Sequence, residues 1–173
     1  MTKNILSNKR VLAVDDERDV LETLEELLQG FEGLTIDKAE DFDTGYHLLR
    51  SWSYDLVILD IMGVRGFDLL NAAVSLGFPT VMLTAHALSL ENLKKSIELG
   101  ARAFLPKEKM VEIVPFLEDV LRLGYKAAWL RSFERLGSVF GVRFGKDWHK
   151  NKKAFMKEID SGHYKPTILK SKG

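Results

Sequence analysis

The chain has 173 residues, no cysteine, 46% hydrophobic and 29% charged residues, a globular composition with room for one core of ~120 residues and a smaller attachment. Without cysteine there is no disulfide framework, thiol nucleophile or thiolate metal site. The formal net charge of zero hides a split: residues 1–124 hold 13 Lys and Arg against 21 Asp and Glu, and residues 125–173 hold 12 against 4.

That split points to two units with different partners, or to two units that attract each other; the plainer alternative is a solvated basic tail. No apolar run approaches the ~18 residues of a membrane span. The opening stretch MTKNILSNKR lacks the apolar segment of a signal peptide. A cytoplasmic protein that does not cross a membrane is expected.

In chain order, short aliphatic or β-branched runs recur at Val11 to Val14, Leu34 to Ile36, Leu56 to Leu59, Thr80 to Leu83 and Ala103 to Leu105. Between them lie stretches with helical spacing. Leu21, Leu24, Leu27 and Leu28 lead to a stop at Gly30. Tyr46, Leu48 and Leu49 follow the acidic opening Asp41-Phe42-Asp43. Leu69, Leu70, Ala73 and Val74 end at Gly77, and Leu90, Leu93 and Ile97 end at Gly100. Five strands alternating with helices predict an α/β fold with a parallel sheet covered on both faces. Strands buried on both sides read as continuous apolar runs, as VLAV and LVIL do.

Residues 125–173 differ in character. Trp129, Phe133, Leu136 and Phe140 form an amphipathic helical stripe, with Gly141 and Gly145 expected to break it. Asp147 is placed to cap a second helix carrying Trp148, Phe155 and Ile159, and the tail from Ser161 to Gly173 is expected to fray. The boundary between a unit of residues 1–124 and a basic helical appendage of residues 125–173 falls near Leu123-Gly124.

Ligands of such sheets sit beyond the carboxyl ends of the strands. Asp15 and Asp16 follow the first run, Asp60 the third, Thr84 the fourth and Lys107 the fifth. Each alone is an ordinary loop residue; together they place three carboxylates, a hydroxyl and an ammonium at one edge. Crowded carboxylates repel unless a cation joins them. Mg²⁺ takes oxygen ligands from one or two carboxylates plus a phosphate and keeps several waters. Asp16 and Asp60 suit that role, with Asp15 close by. A phosphoryl group on a carboxylate oxygen would be stabilised by Mg²⁺, an ammonium and a hydroxyl donor, the last two supplied by Lys107 and Thr84. His47, His86, His149 and His163 are scattered and lack zinc-site spacing; His86 lies near this edge and reads more simply as a passive loop residue. No phosphate-cradling GxxxxGK loop or Gly-x-Ser-x-Gly elbow is present.

The segments VLAVDDERDV, LVILD, VMLTAHA and GARAFLPKE resemble, in type, order and spacing, the receiver domain of bacterial two-component response regulators over residues 9–123. The resemblance implies a flavodoxin-like, doubly wound sheet of order 2-1-3-4-5. It makes Asp60 the phosphoacceptor, Asp15 and Asp16 the acidic pair, Thr84 the switch hydroxyl, Lys107 the phosphate-binding lysine and Phe104 the switch aromatic. It implies Mg²⁺ held by Asp15, Asp16, Asp60 and the backbone carbonyl of Met62. The run Asp60-Ile61-Met62-Gly63-Val64-Arg65-Gly66 departs from the family: it lacks the usual methionine-proline step, and Gly66 arrives early. A shortened loop here bears on water access and kinase geometry.

The resemblance implies a phosphorylation-switched signalling protein of a phosphorelay. Its partners would be a sensor histidine kinase or a phosphotransfer protein. A homodimer would use the face of the fourth helix, fifth strand and fifth helix, or the C-terminal helices. The receiver catalyses its own phosphotransfer and dephosphorylation, with no diffusing substrate. A phosphohydrolase of the haloacid dehalogenase type needs a second Asp where Met62 stands. A phosphorylation-independent binding module and a DNA-binding output through the basic appendage are the remaining alternatives, with packing of the appendage preferred to DNA.

Overall fold

The computed structural model describes residues 3–85 and 89–160. His86, His163 and the segment from Ser161 onward lie outside the described residues. Five strands, β1 (Arg10–Val14), β2 (Thr35–Ala39), β3 (Leu56–Asp60), β4 (Thr80–Thr84) and β5 (Ala103–Pro106), form one parallel sheet of order β2-β1-β3-β4-β5. The sheet and its order are those expected. The three inner strands are almost wholly buried, because helices cover both faces, and they are the continuous apolar runs of the sequence. β2 begins one residue later than its apolar run and continues through Asp37 and Lys38 to Ala39. It lies at the sheet edge, where solvent accepts polar side chains.

Helices α1 (Arg18–Leu28), α2 (Phe42–Ser51), α3 (Gly66–Ser75), α4 (Leu90–Leu99) and α5 (Ile113–Arg122) connect or follow the strands. Asp41 caps α2 by accepting from the Thr44 N–H at 2.8 Å, and Ser89 caps α4 by accepting from the Asn92 N–H at 3.0 Å. α4 ends on Gly100 at φ 99°, a left-handed conformation that suits glycine. A 3₁₀ turn, Lys107–Glu112, separates β5 from α5; its short polar sequence shows no periodicity that would have announced it.

After the extended residue Leu123, α6 (Tyr125–Phe144) runs for 20 residues. Gly141 does not break it, contrary to expectation. Flanking Phe140 and Phe144 both pack on the core cluster, and such burial outweighs the ~1 kcal/mol a helical glycine costs. Gly145, at φ 73°, does end it. A 3₁₀ turn, Gly145–Asp147, leads to α7 (Trp148–Asp160), which buries Trp148, Phe155 and Ile159 as expected.

The stripe Trp129, Phe133, Leu136 and Phe140 is buried, and it joins the same apolar cluster as the sheet. α6 packs against β5 and α5. The buried indole of Trp129 donates from Nε1 to the Ala101 carbonyl at 2.7 Å, and Tyr125 donates from Oη to the Ile97 carbonyl at 2.6 Å. Phe133 and Phe140 meet the Trp148 ring at 5.6 and 4.8 Å between centroids, both edge to face. No helix among the described residues is long and apolar enough to cross a membrane.

Candidate functional site

The parallel arrangement brings the carboxyl ends of β1, β3, β4 and β5 to one edge. Asp15 follows β1, Asp60 closes β3 and Lys107 follows β5. One oxygen from each of Asp15, Asp16 and Asp60 lies within 4.8 Å of the others; Asp15 and Asp60 are buried and Asp16 is exposed. Asp16, Asp60, Met62, Gly63, Ala85 and Lys107, with Glu17, line a cleft of ≈ 130 Å³.

Lys107 Nζ stands 2.8 Å from Asp15 Oδ2, 3.0 Å from Glu17 Oε1 and 3.3 Å from Asp60 Oδ1. The bond to Glu17 has hydrogen-bond geometry. The approach to Asp15 Oδ2 is an ion pair without that alignment, and this buried oxygen has no hydrogen-bond donor among the described residues. Asp15 Oδ1 accepts from the Glu17 N–H at 2.8 Å, which fixes the turn into α1. Burial, and next the Asp15 charge, push the Asp60 carboxyl up to about 7 against the pull of Lys107. Burial likewise raises Asp15 above the usual carboxylate range. For Lys107, burial alone would favour the neutral amine. The carboxylates of Asp15, Glu17 and Asp60 overrule it and hold the ammonium charged well above the ordinary lysine range.

Four carboxylates facing one ammonium leave an excess of negative charge. The donor set is all oxygen, and one buried oxygen still lacks a donor. Both features fit a hard divalent cation such as Mg²⁺, which the acidic triad would hold. Two glycines make room here. Gly63, at φ 85°, lies so close to Asp16 that a Cβ would come within 2.5 Å of its Cγ. A Cβ on Gly66 would meet the Asp60 carbonyl carbon at 2.8 Å. The short loop thus starts α3 directly against the end of β3, and the Gly66 N–H bonds the Ile61 carbonyl at 3.1 Å.

Of the residues singled out in the sequence, Asp15, Asp16, Asp60 and Lys107 converge on one point. Thr84 is buried at the end of β4, in register with Pro106, and the next residue, Ala85, lines the cleft. Phe104 is fully buried in β5. The Met62 side chain is exposed at the rim. Glu17 was not anticipated. Its one signal is its position directly after the acidic pair, where the turn into α1 brings it back over the edge.

The model of the response regulator receiver domain matches residues 11–116. A probable transcriptional regulatory protein, SilR of Salmonella typhimurium, is 37% identical over 122 residues, covering 66% of this chain and 52% of that protein. CpxR, a transcriptional regulatory protein of Escherichia coli (strain K12), is 38% identical over 117 residues, covering 65% and 49%. The chain therefore spans about half the length of the curated relatives it matches. Among solved structures, the non-phosphorylated receiver domain of HemR from Leptospira biflexa aligns with TM-score 0.58 and 34% identity, covering 67% of this chain and 96% of that one. Matching motifs, sheet order and acidic edge agree with these comparisons, and the chain belongs to the response regulator receiver domain family of two-component systems.

Proposed function

We propose that this chain is a phosphorylation-switched signalling protein that accepts a phosphoryl group on Asp60 in the presence of Mg²⁺ and changes its protein contacts in response. Membership of the receiver family implies a cognate histidine kinase; a phosphotransfer protein would present the same phosphohistidine. The observation that carries the reading is the convergence of buried Asp15 and Asp60 with Lys107 around one cleft.

In this reading an Asp60 carboxylate oxygen attacks the phosphorus of a phosphohistidine. The new O–P bond forms as the N–P bond breaks, and the imidazole leaves with a proton. Asp60 must be deprotonated to attack, and its buried setting opposes that. Bound Mg²⁺ would supply the charge that favours the carboxylate and shields the phosphoryl oxygens. Asp15, Asp16, Asp60 and the Met62 carbonyl are the candidate ligands. Lys107 Nζ, 3.3 Å from Asp60, is near enough to turn to a phosphoryl oxygen. Thr84 would donate its hydroxyl to another, and Phe104 would adjust within β5. The division into a receiver of residues 1–124 and a helical extension of residues 125–173 belongs to the same proposal. Its support is the start of α6 directly after Gly124.

SilR and CpxR are named as transcriptional regulators. A match to about half their length does not bring that output to this chain. The test is uptake of phosphate from phosphoramidate, followed by intact-mass spectrometry with Mg²⁺ and with excess chelator. Wild type should gain one phosphoryl group only with Mg²⁺, and Asp60→Asn none. Stoichiometric uptake by Asp60→Asn would show that another residue is the acceptor.

A further inference from the structure

We infer that Arg65, held between the Phe42 ring and the Asp68 carboxylate, is a positioning residue: it fixes the shortened β3–α3 loop and, through that loop, two candidate Mg²⁺ ligands, Asp16 and the Met62 carbonyl. The inference rests on the Mg²⁺ site of the proposed function and adds to it what holds the loop of that site in place.

Arg65 stands at φ 53° and ψ 53° where the loop enters α3. Among the described residues, the one other non-glycine residue at positive φ is Asn8, and asparagine enters this region far more readily than arginine. Such a backbone persists where its surroundings over-determine it. Here two elements do so. Nε and Nη2 of Arg65 both stand 3.0 Å from Asp68 Oδ2, in the first turn of α3. The guanidinium carbon also lies 4.1 Å from the centre of the Phe42 ring, a cation–π contact. Phe42 is itself anchored. It is the first residue of α2, whose start is pinned by the Asp41 cap. Its ring stacks on Tyr46, with centroids 5.6 Å apart and 13° between the planes. The guanidinium thus ties the loop to α2 and to α3 together.

The same loop borders the acidic site. Gly63, two residues before Arg65, lies so close to Asp16 that a Cβ would overlap its carboxylate. Met62 and Gly63 line the cleft together with Asp16 and Asp60. Lys107 pairs with Asp15, Glu17 and Asp60. Asp16 is the exposed member of the triad and is not among those pairs, so its carboxylate is set by packing against the loop. A shift of the loop moves that carboxylate and the Met62 carbonyl at once. Mg²⁺ tolerates little departure from octahedral geometry, so its affinity reports such a shift. The run from Asp60 to Gly66 contains no proline, the residue that would restrain its backbone covalently. The contacts of Arg65 supply that restraint from side chains instead.

The test is calorimetric titration of MgCl₂ into the full chain, as wild type, Phe42→Leu, Arg65→Gly and the double variant. Phe42→Leu keeps the Arg65 charge and an apolar body, so a loss there is not a change in electrostatics. Arg65→Gly accepts the left-handed backbone without strain, so a loss there is not a failure to fold. Each single variant should bind Mg²⁺ about two- to fivefold more weakly, the worth of one exposed cation–π contact. Because both residues act through that contact, the double variant should lose no more than Arg65→Gly alone. In metal-free protein, both single variants should speed amide hydrogen exchange at Gly63–Gly66 and leave exchange in β3 unchanged, which a general loss of stability would not do. Wild-type affinity in either single variant overturns the inference, as do additive losses in the double variant or unchanged exchange in the loop. Failure of wild type to bind Mg²⁺ overturns the proposed function, and this inference with it. Mg²⁺ binding that is indifferent to the substitutions overturns the inference alone.

Discussion

Asp60 is a carboxyl group placed where its charge is poorly solvated, 5% exposed and next to Asp15. Its pKa rises from 3.8 to about 7, so between those values the folded chain holds a proton that the unfolded chain has released. Stability then falls as pH rises through that window, since the native state binds more protons. The contribution is fully present below pH 3.8 and gone above about 7. Metal-free protein should therefore lose urea resistance as pH climbs through this range. Asp60→Asn should flatten the slope, because the amide neither titrates nor repels Asp15. Mg²⁺ should restore stability most at the upper end, where the carboxylates are ionised. A wild-type slope that rises with pH, or one that survives Asp60→Asn, would assign the titration to another group. Glu17 belongs to the same scale. It holds Lys107 from the cleft rim, yet the sequence offers only an acid beside two others, and its return to the site depends on how the chain turns after β1.

The loop between β3 and α3 shows how an element can be shaped by one missing side chain. Gly66 opens α3 against the backbone of Asp60 and Ile61, and a Cβ there would lie 2.8 Å from the Ile61 Cα. Backbone cannot rotate away as a flexible side chain can. Gly66→Ala should destabilise the fold by about 1–3 kcal/mol, the range for forced overpacking, and slow phosphate uptake by shifting Asp60. An unchanged urea midpoint together with an unchanged uptake rate would mean that the loop yields freely. The early position of Gly66 is legible in the sequence; its contact with the end of β3 is not, because contact depends on the direction in which α3 leaves. The inner strands were legible for the opposite reason. Burial on both faces demands continuous apolar runs, and VLAV and LVIL state that demand directly. β2 escapes that demand at the sheet edge, so its polar half carried no signal. Gly141 misled as a helix breaker because local propensity is small beside the burial of Phe140 and its neighbours.

At the scale of the molecule, two forces are available to hold α6 and α7 in place: the opposite charges of residues 1–124 and 125–173, and the shared apolar core. The charge imbalance suggested electrostatic docking. The contacts favour the core. Trp129, Phe133, Phe140, Trp148 and Phe155 all join the cluster that includes the sheet, while Lys126 pairs with Asp160 and Arg131 with Glu134, inside the appendage itself. Arg135–Asp119 does cross to α5, but Arg135 is partly exposed, and such pairs contribute ~0–1 kcal/mol and are screened by salt. Truncating a buried aromatic costs ~3–5 kcal/mol. Phe133→Ala should therefore lower the stability of the full chain by about that amount. Its ring touches Trp129, Phe140 and Trp148, so the loss should loosen α6 and α7 together. Raising salt from ~0.05 to ~0.5 M shortens the screening length about threefold and should change stability by less than ~1 kcal/mol. Urea unfolding of wild type and Phe133→Ala at the two salt concentrations measures both effects in one series. A salt effect larger than the effect of the substitution would show that the charge split, and not the aromatic cluster, holds the C-terminal helices on the receiver.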